Sequence, residues 1–223
     1  MKKNKYIIIS VVAVVCIIMA LVDAVIRPGY LLKSVIKIAL FLAVPLIYSV
    51  FDKTCNLKSL FKPDKKGFLL ALGLGAGVYA IVLGAFLIFR NVFDFSALTS
   101  SLTAETGVNK SNFIFVAAYI SFANSLLEEF FFRGFSFLTL KKVSNRSLAY
   151  VFSALMFAVY HIAMMIGWFS LPVVLLALVG LFAGGIIFNF MNEKFGNIYL
   201  SWLIHMFANF ATNTIGFILF ANS

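Results

Sequence analysis

The sequence predicts an all-α fold, a polytopic membrane bundle of about seven transmembrane helices. Of its 223 residues, 63% are hydrophobic and only 12% are charged, and the mean hydropathy is +1.04. Soluble domains are about 45–50% apolar and about 25% charged, so this composition indicates an integral membrane protein. The apolar residues also lie in long runs, and a helix needs roughly 20 such residues to cross the bilayer.

Seven apolar runs of suitable length follow one another along the chain: residues 6–26, 30–51, 67–90, 112–139, 147–167, 171–191 and 197–220. Each run is too long and too continuous for a strand, and a helix satisfies its own backbone hydrogen bonds in lipid. Glycine pairs four residues apart, Gly73 with Gly77 and Gly180 with Gly184, have a spacing that lets membrane helices approach closely. With no internal repeat, we expect residues 1–223 to form a single integral membrane domain.

The first run has some features of a signal peptide, because Lys2, Lys3 and Lys5 precede it. Its apolar part, residues 6–22, is longer than the core of an ordinary signal peptide. We therefore expect an uncleaved anchor helix.

Basic residues cluster in alternate connections of the predicted bundle: residues 2–5, 51–67 and 141–146. The positive-inside rule places such segments in the cytoplasm, so we expect a multi-pass cell-membrane protein with its N-terminus inside and its C-terminus outside. The net charge of +10 does not indicate a nucleic-acid partner, because these residues do not form a reading surface. The abundance of Lys, Ile, Asn and Phe favours a bacterial source.

The fourth run carries three ionisable residues in the segment LLEEFFFRGF, residues 126–135. A charged residue at the centre of a membrane helix costs about 2.5–3.5 kcal/mol on insertion scales. Glu129 and Arg133 are four residues apart with the acid first, which is the favourable order for a helical ion pair. This pairing leaves Glu128 without an obvious partner on its own helix.

Both histidines of the chain lie in other predicted spans. His161 is in the fifth run, and His205 is in the seventh run with Asn209 one helical turn later on the same face. At 1.5 Å per residue, these side chains lie at depths similar to that of Glu128. We therefore expect three helices to bring two carboxylates, two imidazoles and an amide into one buried layer.

Such a layer has the groups that peptide hydrolysis needs. A glutamate can take a proton from water, and an imidazole can position or share that proton. A second imidazole and an amide can donate hydrogen bonds to a developing oxyanion. The same residue types can instead hold Zn²⁺, with Glu128, His161 and His205 as the candidate ligands. No HExxH motif is present, so the zinc hypothesis rests on residue types alone.

These residues resemble the motifs of the CPBP family of intramembrane proteases, named for CAAX-processing and bacteriocin-processing members. The family pattern is EExxxR, then FxxxH, then HxxxN, and this sequence has all three in order: Glu128-Glu129-xxx-Arg133, Phe157-xxx-His161 and His205-xxx-Asn209. The resemblance implies an intramembrane peptidase in which Glu128 is the general base and His161 is its partner on the water. His205 and Asn209 would then stabilise the oxyanion.

The resemblance also implies that the chain consists of two segments. Residues 110–220 would be the catalytic core, held together by Glu129 and Arg133, and residues 1–109 would be N-terminal spans and loops without motifs. The implied partners are the lipid bilayer and a peptide or protein substrate in or at the membrane. Relatives have been described both as metalloproteases and as metal-free glutamate enzymes. Because seven spans are counted, against about eight in CAAX-processing relatives, prenylated substrates are not assumed. The composition that favours a bacterial source favours leader peptides, bacteriocins or peptide pheromones as substrates.

Two other functions are compatible with a buried polar layer. A transporter or channel could use Glu128 and His161 as a proton relay, although no inverted repeat is present. A non-catalytic scaffold or immunity protein could keep the fold, although every motif position is filled here.

The charge pattern generates a topological prediction. Reporter fusions should place the N-terminus, the 51–67 loop and the 141–146 loop in the cytoplasm and the C-terminus outside, because lysine-rich connections are retained on the inner side. A reporter in the 51–67 loop that read outside would contradict the seven-span arrangement.

Overall fold

The structure, a computed structural model, describes residues 2–62, 65–92, 99, 103–104, 106–165 and 169–221. Seven helices in this part of the chain are long and apolar enough to cross a membrane: α1 Asn4–Ile26, α2 Tyr30–Phe51, α3 Gly67–Phe89, α4 Phe113–Val143, α5 Arg146–Met165, α6 Leu171–Phe195 and α7 Tyr199–Ala221. The described residues contain no strand. The predicted all-α membrane bundle is therefore confirmed; the predicted end of the fifth span, at residue 167, lies outside the described residues.

Helix α4 is the centre of the bundle. Every residue from 128 to 137 is buried, and the helix packs against α1, α2, α5, α6 and α7. Phe131 stacks on Phe41 of α2, with ring centroids 4.4 Å apart, and Phe132 contacts Phe157 of α5 edge to face at 5.4 Å. A helix that is covered on all sides can carry charged side chains away from lipid.

Helix α4 is not a regular α-helix. Residues Ile120–Asn124 and Glu129–Thr139 wind as π-helix, and a single α-helical turn, Ser125–Glu128, separates them. π-Helical turns are rare and occur frequently at functional sites. Here they flank Glu128 on both sides.

Side chains of α7 hydrogen-bond to the backbone of α4 along its first half. They donate to its carbonyl oxygens as follows: Trp202 to Phe122 (3.1 Å), Asn209 to Ile120 (3.0 Å) and Asn213 to Ala117 (3.1 Å). A carbonyl that lacks a partner in the membrane interior is costly. These contacts therefore fix the position of α7 against the irregular part of α4.

The three basic connections lie at one end of the bundle. Asn4 donates a hydrogen bond to Asp52 (3.0 Å), and Lys142 donates to the carbonyl of Thr54 (3.0 Å). Burial raises the pKa of Asp52, but hydrogen bonds from Tyr48, Thr54 and Asn4 outweigh it and hold that pKa below its usual range. The structure thus brings the N-terminal segment and the loops after α2 and α4 together, as successive single crossings of the membrane require.

The outer surfaces of the bundle are apolar. Large hydrophobic side chains are exposed on α1, α2, α3 and α6, among them Val25, Leu31, Ile81 and Leu176. Helix α3 packs mainly along α7, and α6 packs mainly along α5. These exposed faces are suited to lipid contact.

The glycines that allow close helix contact are not the predicted pairs. A Cβ atom at Gly73, Gly77, Gly180 or Gly184 would meet nothing within 4 Å. At Gly185, by contrast, a Cβ atom would lie 2.9 Å from the Cα of Ala154 on α5. The rotation of α6 about its axis puts Gly185 against its neighbour, and residue spacing alone does not fix that rotation.

Gly185 and Gly184 form a matched pair for testing this packing. Gly185→Ala should destabilise the protein by about 1–3 kcal/mol, because the added methyl group meets the backbone of α5. Gly184→Ala should be neutral or stabilising by up to about 1 kcal/mol, since alanine is the better helix former. Thermal unfolding in detergent measures both, and equal effects of the two changes would contradict the packing of α5 on α6.

Candidate active site

Glu128 is buried in the centre of the bundle and forms an ion pair with another helix. Its side chain is 1% exposed, and its Oε1 atom pairs with the ammonium group of Lys37 on α2, which is 5% exposed. Asn124, one turn earlier on α4, donates a hydrogen bond to the same oxygen at 3.1 Å. Lys37 also donates to the Asn124 side-chain oxygen. Oε1 of Glu128 is therefore held by a cation and an amide.

The second oxygen of Glu128 faces both histidines of the chain. Its Oε2 atom is 3.5 Å from Nε2 of His161 and 3.6 Å from Nε2 of His205. These separations are longer than ordinary hydrogen bonds, and no group in the described part of the chain donates one to Oε2. His161 is the most exposed of the three side chains, so its side of the cluster is the more open one.

The other nitrogen of each imidazole shows which tautomer is present. Nδ1 of His161 is 2.7 Å from the carbonyl oxygen of Phe157, and Nδ1 of His205 is 3.0 Å from Oε1 of Glu129. Both oxygens only accept hydrogen bonds, so we assign the proton to Nδ1 in each ring. In this tautomer, a neutral ring presents its Nε2 lone pair toward Glu128. Three proton acceptors converge there, which is an arrangement that can bind a water molecule and remove a proton from it.

Glu129 and Arg133 form the ion pair that their spacing predicts. Nε of Arg133 lies 3.4 Å from Oε2 of Glu129, and both side chains are fully buried. The guanidinium group also lies over the rings of Phe157 (4.0 Å) and Phe188 (5.1 Å), so aromatic faces help to stabilise its charge. Because Glu129 also accepts the hydrogen bond from His205, this pair fixes the orientation of that imidazole.

Phe157 connects the remaining parts of the site. Its ring lies 4.5 Å from that of His161 and 5.8 Å from that of His205, in edge-to-face contacts. The same ring packs against Arg133. The aromatic residue of the FxxxH motif thus packs against Arg133 and against both imidazoles.

Asn209 lies beside the cluster rather than within it. Its amide donates to the carbonyl of Ile120 at 3.0 Å, on the π-helical turn that precedes Glu128. An amide has two N–H bonds. The contact with Ile120 uses one of them and leaves the other available. The structure therefore brings Glu128, Glu129, Arg133, His161 and His205 together directly and places Asn209 next to them through the α4 backbone.

Lys37 is the site residue that the sequence did not indicate. It is the eighth residue of α2, in the segment Tyr30–Phe51, and its partner is 91 positions further along the chain. One signal could have identified it, since a lysine inside an apolar span is rare and normally has a role.

Two observations bear on the predicted zinc site at Glu128. No group of three or more His, Cys, Asp or Glu side chains in the described ranges is placed to hold a metal ion. In addition, the Lys37 ammonium lies against the carboxylate that would have to be a ligand, and a nearby cation opposes metal binding. The proposed ligand set of Glu128, His161 and His205 therefore stays a prediction, which chelation tests.

Comparison with known proteins bears on the second half of the chain. A family model described as "Type II CAAX prenyl endopeptidase Rce1-like" matches residues 110–211. This segment contains helices α4, α5 and α6 and about half of α7. It therefore includes all of the motif residues. No curated protein and no solved structure matches the chain significantly. The match covers less than half of the chain; it shows that residues 110–211 resemble the Rce1-like type II CAAX prenyl endopeptidases, and this resemblance indicates a protease. The predicted family resemblance is confirmed.

Proposed function

We propose that this protein hydrolyses a peptide bond of a membrane-associated peptide with a water molecule that Glu128 deprotonates. The observation that carries the proposal is the convergence of Glu128 Oε2 with the Nε2 atoms of His161 and His205, at 3.5 and 3.6 Å, inside the bundle. The match to an endopeptidase family supports the same reaction class.

The proposed reaction has two steps. Glu128 Oε2 takes a proton from water as the water oxygen bonds to the peptide carbonyl carbon, which gives a tetrahedral intermediate with a negative oxygen. The carbon–nitrogen bond then breaks, and the proton passes from Glu128 to the leaving amine. His161 Nε2 lies close enough to share that proton during the transfer.

His205 and Asn209 are the proposed donors to the oxyanion. Nε2 of His205 donates only when the ring is an imidazolium, and the Glu129 carboxylate at Nδ1 stabilises that charge. Asn209 would donate with the N–H bond that Ile120 does not use. Glu129 and Arg133 take no part in bond breaking in this scheme: Glu129 orients His205, and Arg133 holds Glu129 in place.

We propose a mechanism without metal, with a zinc enzyme as the alternative. The support for the metal-free route is that Lys37 supplies positive charge at Glu128 from within the chain. A zinc ion held by Glu128, His161 and His205 would instead acidify the water itself. The two mechanisms differ in their response to chelators.

The substrate class that we propose is a peptide bond close to the membrane surface. The description of the matched family points to prenylated C-terminal CAAX sequences. Leader peptides of bacteriocins and peptide pheromones are the second class to test.

Glu128→Gln tests the proposal with purified protein in detergent. The substitution keeps the size of the side chain and removes the proton acceptor, so turnover should fall by about 10²–10⁴-fold. Cleavage of prenylated CAAX peptides and of leader peptides is followed by mass spectrometry, with and without chelator. On the proposed mechanism, the chelator leaves the wild-type rate unchanged.

Glu193→Gln is the matched control. Glu193 pairs with Lys141 and Arg146 at the end of α6 and contacts none of the site residues, so this variant should cleave at the wild-type rate. Near-normal cleavage by Glu128→Gln would overturn the proposed base. Loss of activity on chelation, with recovery on addition of Zn²⁺, would replace the metal-free route with the zinc enzyme.

A further inference from the structure

We infer that Lys37 is a positioning residue for the proposed reaction: it holds Oε1 of Glu128 so that Oε2 faces the two imidazoles. This inference rests on the proposed function. Lys37 lies on α2, outside the segment 110–211 that matches the protease family. The site would thus be completed by a helix from the first half of the chain.

The surroundings of Lys37 show why the carboxylate is its natural partner. Its side chain is nearly fully buried, and its ammonium lies 5.3 Å from the ring of Phe41 and 5.0 Å from the ring of Tyr160. Its polar contacts are Asn124 and Glu128. A lysine in a membrane span is costly, and the aromatic faces alone compensate little of that cost. The ion pair with Glu128 compensates most of it.

The two carboxylate oxygens of Glu128 have different partners. Oε1 receives Lys37 and the amide of Asn124, so its position is fixed from two helices. Oε2 receives no hydrogen bond from the described residues and faces His161 and His205. Without Lys37, the carboxylate could rotate about its terminal bond and draw Oε2 away from the imidazoles. A displacement of about 1 Å in a catalytic group can cost about 10²-fold in rate.

The test compares Lys37→Met, Lys37→Arg and the wild-type protein. Methionine has nearly the same length and no charge, so kcat per folded molecule should fall by about 10²-fold while KM changes little. Arginine keeps the charge and should restore part of kcat. Folded protein is quantified by size-exclusion chromatography, so that loss of yield is not read as loss of rate.

Lys33→Met is the control for removing a lysine from the same helix. Lys33 lies one turn before Lys37 and pairs with Asp23 instead. Its removal should leave kcat per folded molecule unchanged. Wild-type kcat in Lys37→Met would overturn the positioning role. If Lys37→Met does not fold, Lys37→Gln, which also lacks the charge, takes its place: kcat below the wild-type value with unchanged KM supports the role, and wild-type kcat overturns it.

Thermal unfolding provides a readout that does not depend on cleavage. If Lys37 and Glu128 are paired, the double variant Lys37→Met/Glu128→Gln should melt at a higher temperature than Lys37→Met alone, because no charge is left unpaired. Additive shifts in melting temperature would overturn the pairing and with it the inference. An absence of peptide cleavage by the wild-type protein would overturn the proposed function, and the unfolding data would still decide whether Lys37 holds Glu128.

Discussion

The structure depends on the compensation of charge inside a membrane bundle. Glu128 and Glu129 are both buried, and each is matched by one buried cation, Lys37 for the first and Arg133 for the second. Removing one partner of such a pair typically costs about 3–5 kcal/mol, because the other charge is left in an apolar environment. The part of α4 from residue 128 to residue 137 must therefore be enclosed, and phenylalanines on α4 and on its neighbours provide that enclosure. The central position of α4 and its dense aromatic packing follow from the two glutamates that it carries.

The need to compensate buried charge also gives the carboxylates of Glu128 and Glu129 different roles. Both oxygens of Glu129 face fixed partners: Oε2 lies opposite Arg133, and Oε1 accepts a hydrogen bond from His205. Glu128 is held only through Oε1, and its Oε2 faces two imidazole nitrogens. Two adjacent residues of the same type thus have different environments, one suited to orienting a ring and the other to accepting a proton. Phe157 packs against Arg133 on one side of this arrangement and against His161 on the other.

Much of this arrangement could be predicted from the sequence, because long apolar runs and residue spacing determine it. The seven spans and the Glu129–Arg133 pair follow directly from those two signals. The π-helical turns of α4 could not be predicted, since they depend on side chains of α7 that satisfy the displaced backbone. Lys37 was missed because its partner lies on another helix, and periodicity within one helix carries no information about such contacts. Gly185 was missed for a related reason: spacing shows which glycines share a face, but packing decides which face meets a neighbour.

The central claim is that Glu128 removes a proton from water and does not itself attack the peptide. A single-turnover reaction in ¹⁸O-labelled water, with enzyme in excess over substrate, tests this claim most directly. If water is the nucleophile, the new carboxyl terminus carries one ¹⁸O atom after the first turnover, and the enzyme peptide that contains Glu128 carries none. Unlabelled product together with ¹⁸O in the Glu128 side chain would show that the carboxylate had formed a covalent intermediate, and would contradict the account.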